Sequence, residues 1–145
     1  VQLFDSWAGV LAETQFRRWV LEPTAEIVRH LKDKHPEARV IGFPRGAGAL
    51  YGDYADATGV DVIAIDEAVP AVWAADTLQR GRAVQGNLSN LALVNGGQTL
   101  ADETHRILGA LGGGPFIFNL GHGVLPGTPP ENVARLASLI RGWGP

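Results

Sequence analysis

Five short apolar runs punctuate the chain, at Val1–Phe4, Val40–Phe43, Val60–Ile65, Ala83–Gln85 and Phe116–Leu120. Each is followed by a polar or glycine-rich break and then by a stretch with helical spacing. Runs this short, rich in β-branched and aromatic residues, predict buried parallel strands in successive βα units. The fold class is therefore α/β. Pro23 fits the first turn of a helix reaching about Lys34, with Ile27, Val28 and Leu31 on its apolar stripe and Pro36 closing the segment. Leu50, Tyr54 and Ala55 form a second stripe that stops near Gly59. Leu100, Thr104, Ile107, Leu108 and Leu111 predict a helix over Thr99–Leu111, ended by Gly112-Gly113-Gly114-Pro115. Thr128 is placed to cap a last helix, with Pro129 at its first position, Glu131 three residues after the cap, and Val133, Leu136, Ala137 and Ile140 on one side.

No repeat or low-complexity linker interrupts this alternation, so residues 1–145 are expected to form a single domain. Five βα units suit two architectures. One is an open doubly wound sheet; the other is part of an eight-stranded barrel, which takes about 250 residues when whole. Periodicity does not choose between them.

Composition removes several function classes. A hydrophobic share of 46% over 145 residues is enough for a globular core. The net charge of −3, with no basic run, argues against nucleic acid as a partner. Without cysteine there is no disulfide framework, thiolate nucleophile or zinc–thiolate site. No apolar window is long enough to span a bilayer and no signal core opens the chain, so a soluble, cytoplasmic protein without a membrane partner is expected. The absence of methionine, even at position 1, reads as a fragment or processed chain.

In both architectures ligands bind beyond the carboxyl ends of the strands. The residues there are Asp5, Ser6 and Trp7; Pro44, Arg45 and Gly46; Asp66 and Glu67; Gly86 and Asn87; and Gly121, His122 and Gly123. Gly46-Ala47-Gly48 with Gly52 and Asp66 imitates a dinucleotide fingerprint, but the third glycine comes one place late and Pro44-Arg45 intrude before the first. Asp66 and Glu67, adjacent at a strand end, point to opposite faces and do not share a proton; solvation or a helix N-terminus accounts for them. Ser6 is not in a Gly-x-Ser-x-Gly elbow, which leaves it a hydrogen-bonding role. His122, between two glycines, is the better candidate for touching a ligand carboxylate or carbonyl. His30, His35 and His105 read as solvated, Trp19 and Trp73 as packed in or against helices, and no His or carboxylate spacing suggests a metal.

Together the strand-end segments resemble a known family. They are Leu3-Phe4-Asp5-Ser6-Trp7-Ala8-Gly9, Gly42-Phe43-Pro44-Arg45-Gly46, Gln85-Gly86-Asn87-Leu88 and Phe118-Asn119-Leu120-Gly121-His122-Gly123, with Pro126 and Thr128-Pro129-Pro130-Glu131 after them. In order and spacing the chain resembles uroporphyrinogen decarboxylases of the bacterial type from end to end. The resemblance implies a partial (β/α)8 barrel, its C-terminal part, with about three of the eight strands lying outside the chain. It implies an enzyme without metal or cofactor that protonates a pyrrole carbon, uses the iminium as electron sink and releases CO2 from the acetate arms of uroporphyrinogen. By position, Ser6 and His122 match residues that contact the substrate's carboxylates, and Phe4 an aromatic lining the cleft. The family's pyrrole-binding aspartate, its arginines and its tyrosine match nothing in the chain, which implies little decarboxylation by this chain alone. Asp66-Glu67 stands where the family has Asp-Trp, and Gly86-Asn87-Leu88-Ser89-Asn90 where it has Gly-Asn-Leu-Asp-Pro. Because a partial barrel leaves open edges, a homo-oligomer or a complementing N-terminal barrel fragment is the expected partner besides porphyrinogen. The alternatives are a self-assembling partial-barrel scaffold and a small nucleotide-binding domain.

Overall fold

A computed structural model describes residues 1–144. Its five strands are β1 (Gln2–Asp5), β2 (Ile41–Pro44), β3 (Val62–Ala64), β4 (Ala83–Leu88) and β5 (Phe116–Leu120), all parallel in one sheet. Their spatial order is β1-β2-β3-β4-β5. A doubly wound sheet reverses its strand order at a switch point, and ligands bind in the crevice there. This sheet never reverses, so it winds as a segment of a (β/α)8 barrel. The switch-point crevice on which the nucleotide-binding reading depended is not formed by these strands.

The helices are α1 (Glu13–Phe16), α2 (Glu22–Lys34), α3 (Tyr51–Thr58), α4 (Ala71–Thr77), α5 (Asn90–Asn95), α6 (Gly97–Leu111) and α7 (Pro130–Gly142). One face of the sheet carries the core. Ile63 and Val84 pack there with Phe16 and Val28 from the first helices, Tyr54 of α3, Leu78 just after α4, Leu100 and Ile107 of α6 and Leu136 of α7. Phe43, Val62 and Ala64 are buried but lie outside that cluster, on the opposite, concave face. Strand β5 alternates accordingly: Phe116, Phe118 and Leu120 pack toward the core, while Ile117 and Asn119 are exposed.

Several boundaries differ from the sequence expectation. The helix expected from Pro23 to about Lys34 is α2, with Pro23 in its first turn, but helical backbone begins earlier, at Glu13, and passes through a wide π turn, Arg17–Leu21, before α2. Pro23 has no N–H to donate, and its ring crowds the carbonyl four residues back. The wide turn, in which the Glu22 N–H bonds to the Arg17 carbonyl, takes up that conflict. Helices α4 and α5 had no stripe long enough to announce them. Their starts, after Pro70 and after a Ser89 side chain that accepts from the Leu91 N–H, are the local signals. Strand β4 runs past Gln85 to Leu88, so Gly86 and Asn87 belong to the strand and not to the loop after it. Gly86 is required there, since a Cβ would lie 2.6 Å from the Ile65 carbonyl oxygen. Thr128 does not cap α7: the cap position is Pro129, Pro130 opens the helix, and the Thr128 hydroxyl is buried without a partner. Val133 is 44% exposed and does not share the buried side with Leu136. Gly59 ends α3 as expected, in the left-handed region at φ 71°.

Candidate functional site

The loops at the carboxyl ends of the strands are tied to one another in sequence. The Arg45 N–H bonds to the Asp5 carbonyl at 3.0 Å and the Gly9 N–H to the Arg45 carbonyl at 2.9 Å, joining the loops after β1 and β2. The loop after β2 then leans on the end of β3 through Asp66. One carboxylate oxygen of Asp66 accepts from the Gly46 N–H and the Tyr51 hydroxyl, both at 2.7 Å, and the other from the Ala68 N–H at 2.9 Å. Asp66 is 4% exposed. The expectation of a solvated or helix-end charge is therefore wrong for Asp66: it is a buried anchor whose charge is held by three protein donors. Glu67, its neighbour, points out to solvent beside Arg45 at 3.8 Å. The two carboxylates do not form a pair: Asp66 is held under its three donors and Glu67 lies beside Arg45.

The linkage continues to β4 and β5. The Asn87 amide donates to the Val69 carbonyl at 2.6 Å and to the Asp66 carbonyl at 3.3 Å. The Gly121 N–H bonds to the Leu88 carbonyl at 2.8 Å, and the Asn90 amide holds the Gly123 carbonyl at 3.1 Å. His122 is thus suspended between two tethered glycines.

Burial raises both tyrosine hydroxyls. Tyr51 is pushed well above the ordinary phenol range by desolvation and by the negative charge of Asp66. Tyr54 is pushed up to about 12, mainly by desolvation.

Two concavities adjoin these loops. One, of about 560 Å³, lies between the Gly46–Ala49 and Ala68–Trp73 segments and contains the fingerprint-like glycines. Gly46 and Gly48 adopt φ 76° and 56°, so they serve the turn, and the Asp66 carboxylate is sealed under protein donors where a ribose-binding acid must be free. The other, about 330 Å³, lies on the concave face of the sheet. It brings together the three residues singled out from sequence: Phe4, Ser6 and His122 all line it. Phe4 is 69% exposed and meets Phe43 edge to face, ring centroids 6.2 Å apart. Gln2, Gln85 and Asn119 also line it, and sequence reasoning did not single these out. The signal available was a polar side chain inside an apolar strand, at even spacing from its inward neighbours. No aspartate, glutamate, lysine or arginine lines this cleft among the described residues. The other histidines are elsewhere: His30 bonds to the Glu26 carbonyl, His35 is exposed, and His105 lies against Trp143 at 5.9 Å. Trp73 is half-buried in α4, whereas Trp19 is largely exposed and its indole N–H bonds to Gln15.

The family model described as uroporphyrinogen decarboxylase (URO-D) matches residues 1–143. The chain belongs to the uroporphyrinogen decarboxylase family. A uroporphyrinogen decarboxylase of Rhodospirillum rubrum is 55% identical over 97% of the chain and 40% of the relative. Those of Erythrobacter litoralis and Rhizorhabdus wittichii are 53% and 54% identical, over 99% and 98% of the chain and 42% and 41% of the relatives. The chain thus spans about 40% of the length of the curated relatives it matches. A solved methyltransferase from Methanosarcina mazei superposes on 95% of the chain and 40% of its own, with a TM-score of 0.75 at 19% identity, a likeness of fold alone. Membership in the decarboxylase family and the likeness to that methyltransferase fold agree with the sequential winding of the sheet as part of a barrel. No helix among the described residues is long and apolar enough to cross a membrane.

Proposed function

We propose that this chain forms one wall of a porphyrinogen-binding cleft in a cytoplasmic, cofactor-independent uroporphyrinogen decarboxylase. In that wall Ser6 and His122 hydrogen-bond the side-chain carboxylates of the ligand, and Phe4 lies against its macrocycle. The observation that carries the reading is the composition of the 330 Å³ cleft: an aromatic surface ringed by hydrogen-bonding groups, at the carboxyl ends of the strands. A serine hydroxyl and an imidazole N–H both donate to carboxylate oxygens, and the exposed positions of Ser6 and His122 let the charged arms keep part of their hydration. The volume suits one pyrrole with its arms better than a whole tetrapyrrole. With no aspartate or glutamate in this wall, the charge of a protonated pyrrole must be balanced by residues of the enzyme outside it. The chain's own part is binding and orientation.

Coproporphyrin binding, followed by the ligand's fluorescence anisotropy, tests this. Ser6→Ala and His122→Ala are each expected to weaken binding about five- to tenfold, the net worth of about 1 kcal/mol for a hydrogen bond that stays partly exposed to water. His105→Ala, on α6 beside Trp143, should leave it unchanged. Equal affinities for all three variants would sink the assignment.

A second reading is favoured by the sheet itself. Strands β1 and β5 each keep one unpaired edge among the described residues, and Phe4 and the 42%-exposed Ile117 present apolar surface on the concave face. On this reading copies of the chain associate into a scaffold of defined stoichiometry without catalysis. Native mass spectrometry at low micromolar concentration should then show one dominant oligomer, and a monomer throughout would remove this reading.

A further inference from the structure

Strand β5 is an edge of the sheet, bonded to β4 on one side only among the described residues. The Gly121 N–H turns to β4, where it meets the Leu88 carbonyl, so the Leu120 N–H before it points to the open side. The Asn119 side chain supplies the acceptor there, with its Oδ1 at 2.8 Å from the Leu120 nitrogen. Only the oxygen of a carboxamide accepts from an N–H, so this bond decides which branch of the amide is which. Among the described residues it is the one hydrogen bond that the Asn119 side chain makes. Asn119 is exposed and lines the cleft, and its Nδ2 therefore stands ready with two N–H donors for whatever enters.

A pinned amide of this kind selects an acceptor, and a carboxylate can take one donor on each of its oxygens. The need for a second donor follows from the lining. A carboxylate entering a wall without lysine or arginine must replace its lost water with hydrogen bonds, and one donor leaves an oxygen bare. His122 follows the same strand and lines the same cleft. Ser6 follows β1 at the far edge of the sheet, with β2, β3 and β4 between. We propose that Asn119 is a further substrate-binding residue, whose Nδ2 donates to the same ligand carboxylate that His122 holds, while Ser6 serves a different arm. This rests on the porphyrinogen reading and divides its wall into two separate arm sites.

Coproporphyrin binding to the full chain, followed by fluorescence anisotropy, tests the division. Asn119→Ala should weaken binding about fivefold. Two donors on one carboxylate depend on each other, so Asn119→Ala combined with His122→Ala should weaken it only about tenfold, well short of the product of the single losses. Combined with Ser6→Ala, the losses should multiply. Asn119→Asp keeps an oxygen for the Leu120 N–H and turns a negative charge on the arm. It should bind coproporphyrin at least about tenfold more weakly than the wild type, while the neutral tetraamide of coproporphyrin binds within about twofold. The proposal is overturned by unchanged binding in Asn119→Ala, by losses that multiply with His122→Ala, or by Asn119→Asp binding coproporphyrin like the wild type. In each case the porphyrinogen reading stands as long as binding depends on Ser6 and His122. If coproporphyrin does not bind the wild type, both readings fail.

Discussion

Asp66→Ala will destabilise the chain by about 4 kcal/mol, although Asp66 touches no ligand in the proposed cleft. Its carboxylate links the Gly46 N–H, the Tyr51 hydroxyl and the Ala68 N–H, and all three lose this acceptor together. Hydrogen bonds to a charged group are each worth about 1.5–3 kcal/mol, and the three are not additive because the emptied site relaxes. For a chain of this length the melting temperature should drop by roughly 10–15 °C. Asp33→Ala, which removes an exposed pair with Arg29, should change stability by less than about 0.5 kcal/mol. A loss below about 1 kcal/mol for Asp66→Ala would show that the network is not the anchor described.

The same variant has a signature in alkali. Both tyrosines have pKa values raised in the folded state, so the stability gained by keeping them neutral is complete below their ordinary value of 10.0 and is lost as pH rises through the folded values. In the wild type the phenolate band should stay absent just above pH 10.0 and appear with unfolding. Removing the Asp66 charge takes away one of the causes that raise Tyr51, so its ionisation should begin at lower pH in Asp66→Ala.

Gly121→Ala and Gly123→Ala will have opposite outcomes, although the two glycines flank His122 symmetrically in sequence. A Cβ on Gly121 would collide with the Glu67 nitrogen and lie 2.8 Å from the Asp66 carbonyl carbon, both backbone atoms that have nowhere to go. The overpacking should cost about 3 kcal/mol. It should also weaken coproporphyrin binding about tenfold, because the end of β5 must retreat from the end of β3 and carries His122 with it. A Cβ on Gly123 meets nothing within 4 Å. Its stability should match the wild type, or exceed it slightly, through the reduced freedom of the unfolded chain. Thermal melts of the two variants measure the contrast, and equal melting temperatures would sink it.

This pair shows where sequence reasoning stops. Flanking glycines around His122 suggested room for a ligand to approach. In the structure Gly121 is small because another strand's loop passes against it, and only Gly123, on the cleft, is free of such crowding. Nothing in the local order of residues separates the two. Asp66 is a similar case. Its neighbour in sequence is exposed and its partners lie twenty and fifteen residues back, so a solvated or helix-end charge was the economical reading. Its burial is set by Tyr51 and Gly46, which arrive by way of a different strand.

By itself the sequence determined the local grammar: five strands, the long helices at α2, α3, α6 and α7, the Gly59 stop, and the placing of Ser6 and His122 just beyond the carboxyl ends of strands. It could do so because helical and extended periods, turn glycines and motif spacing are short-range properties carried by neighbouring residues. Periodicity left doubly wound sheet and barrel segment open and motif resemblance implied the barrel; the tertiary structure showed the unreversed strand order, and it alone extended β4 to Leu88, buried Asp66 and turned Gln85 toward the cleft. Each of these depends on which strand lies beside which, and strand order is fixed by packing between residues far apart in the chain.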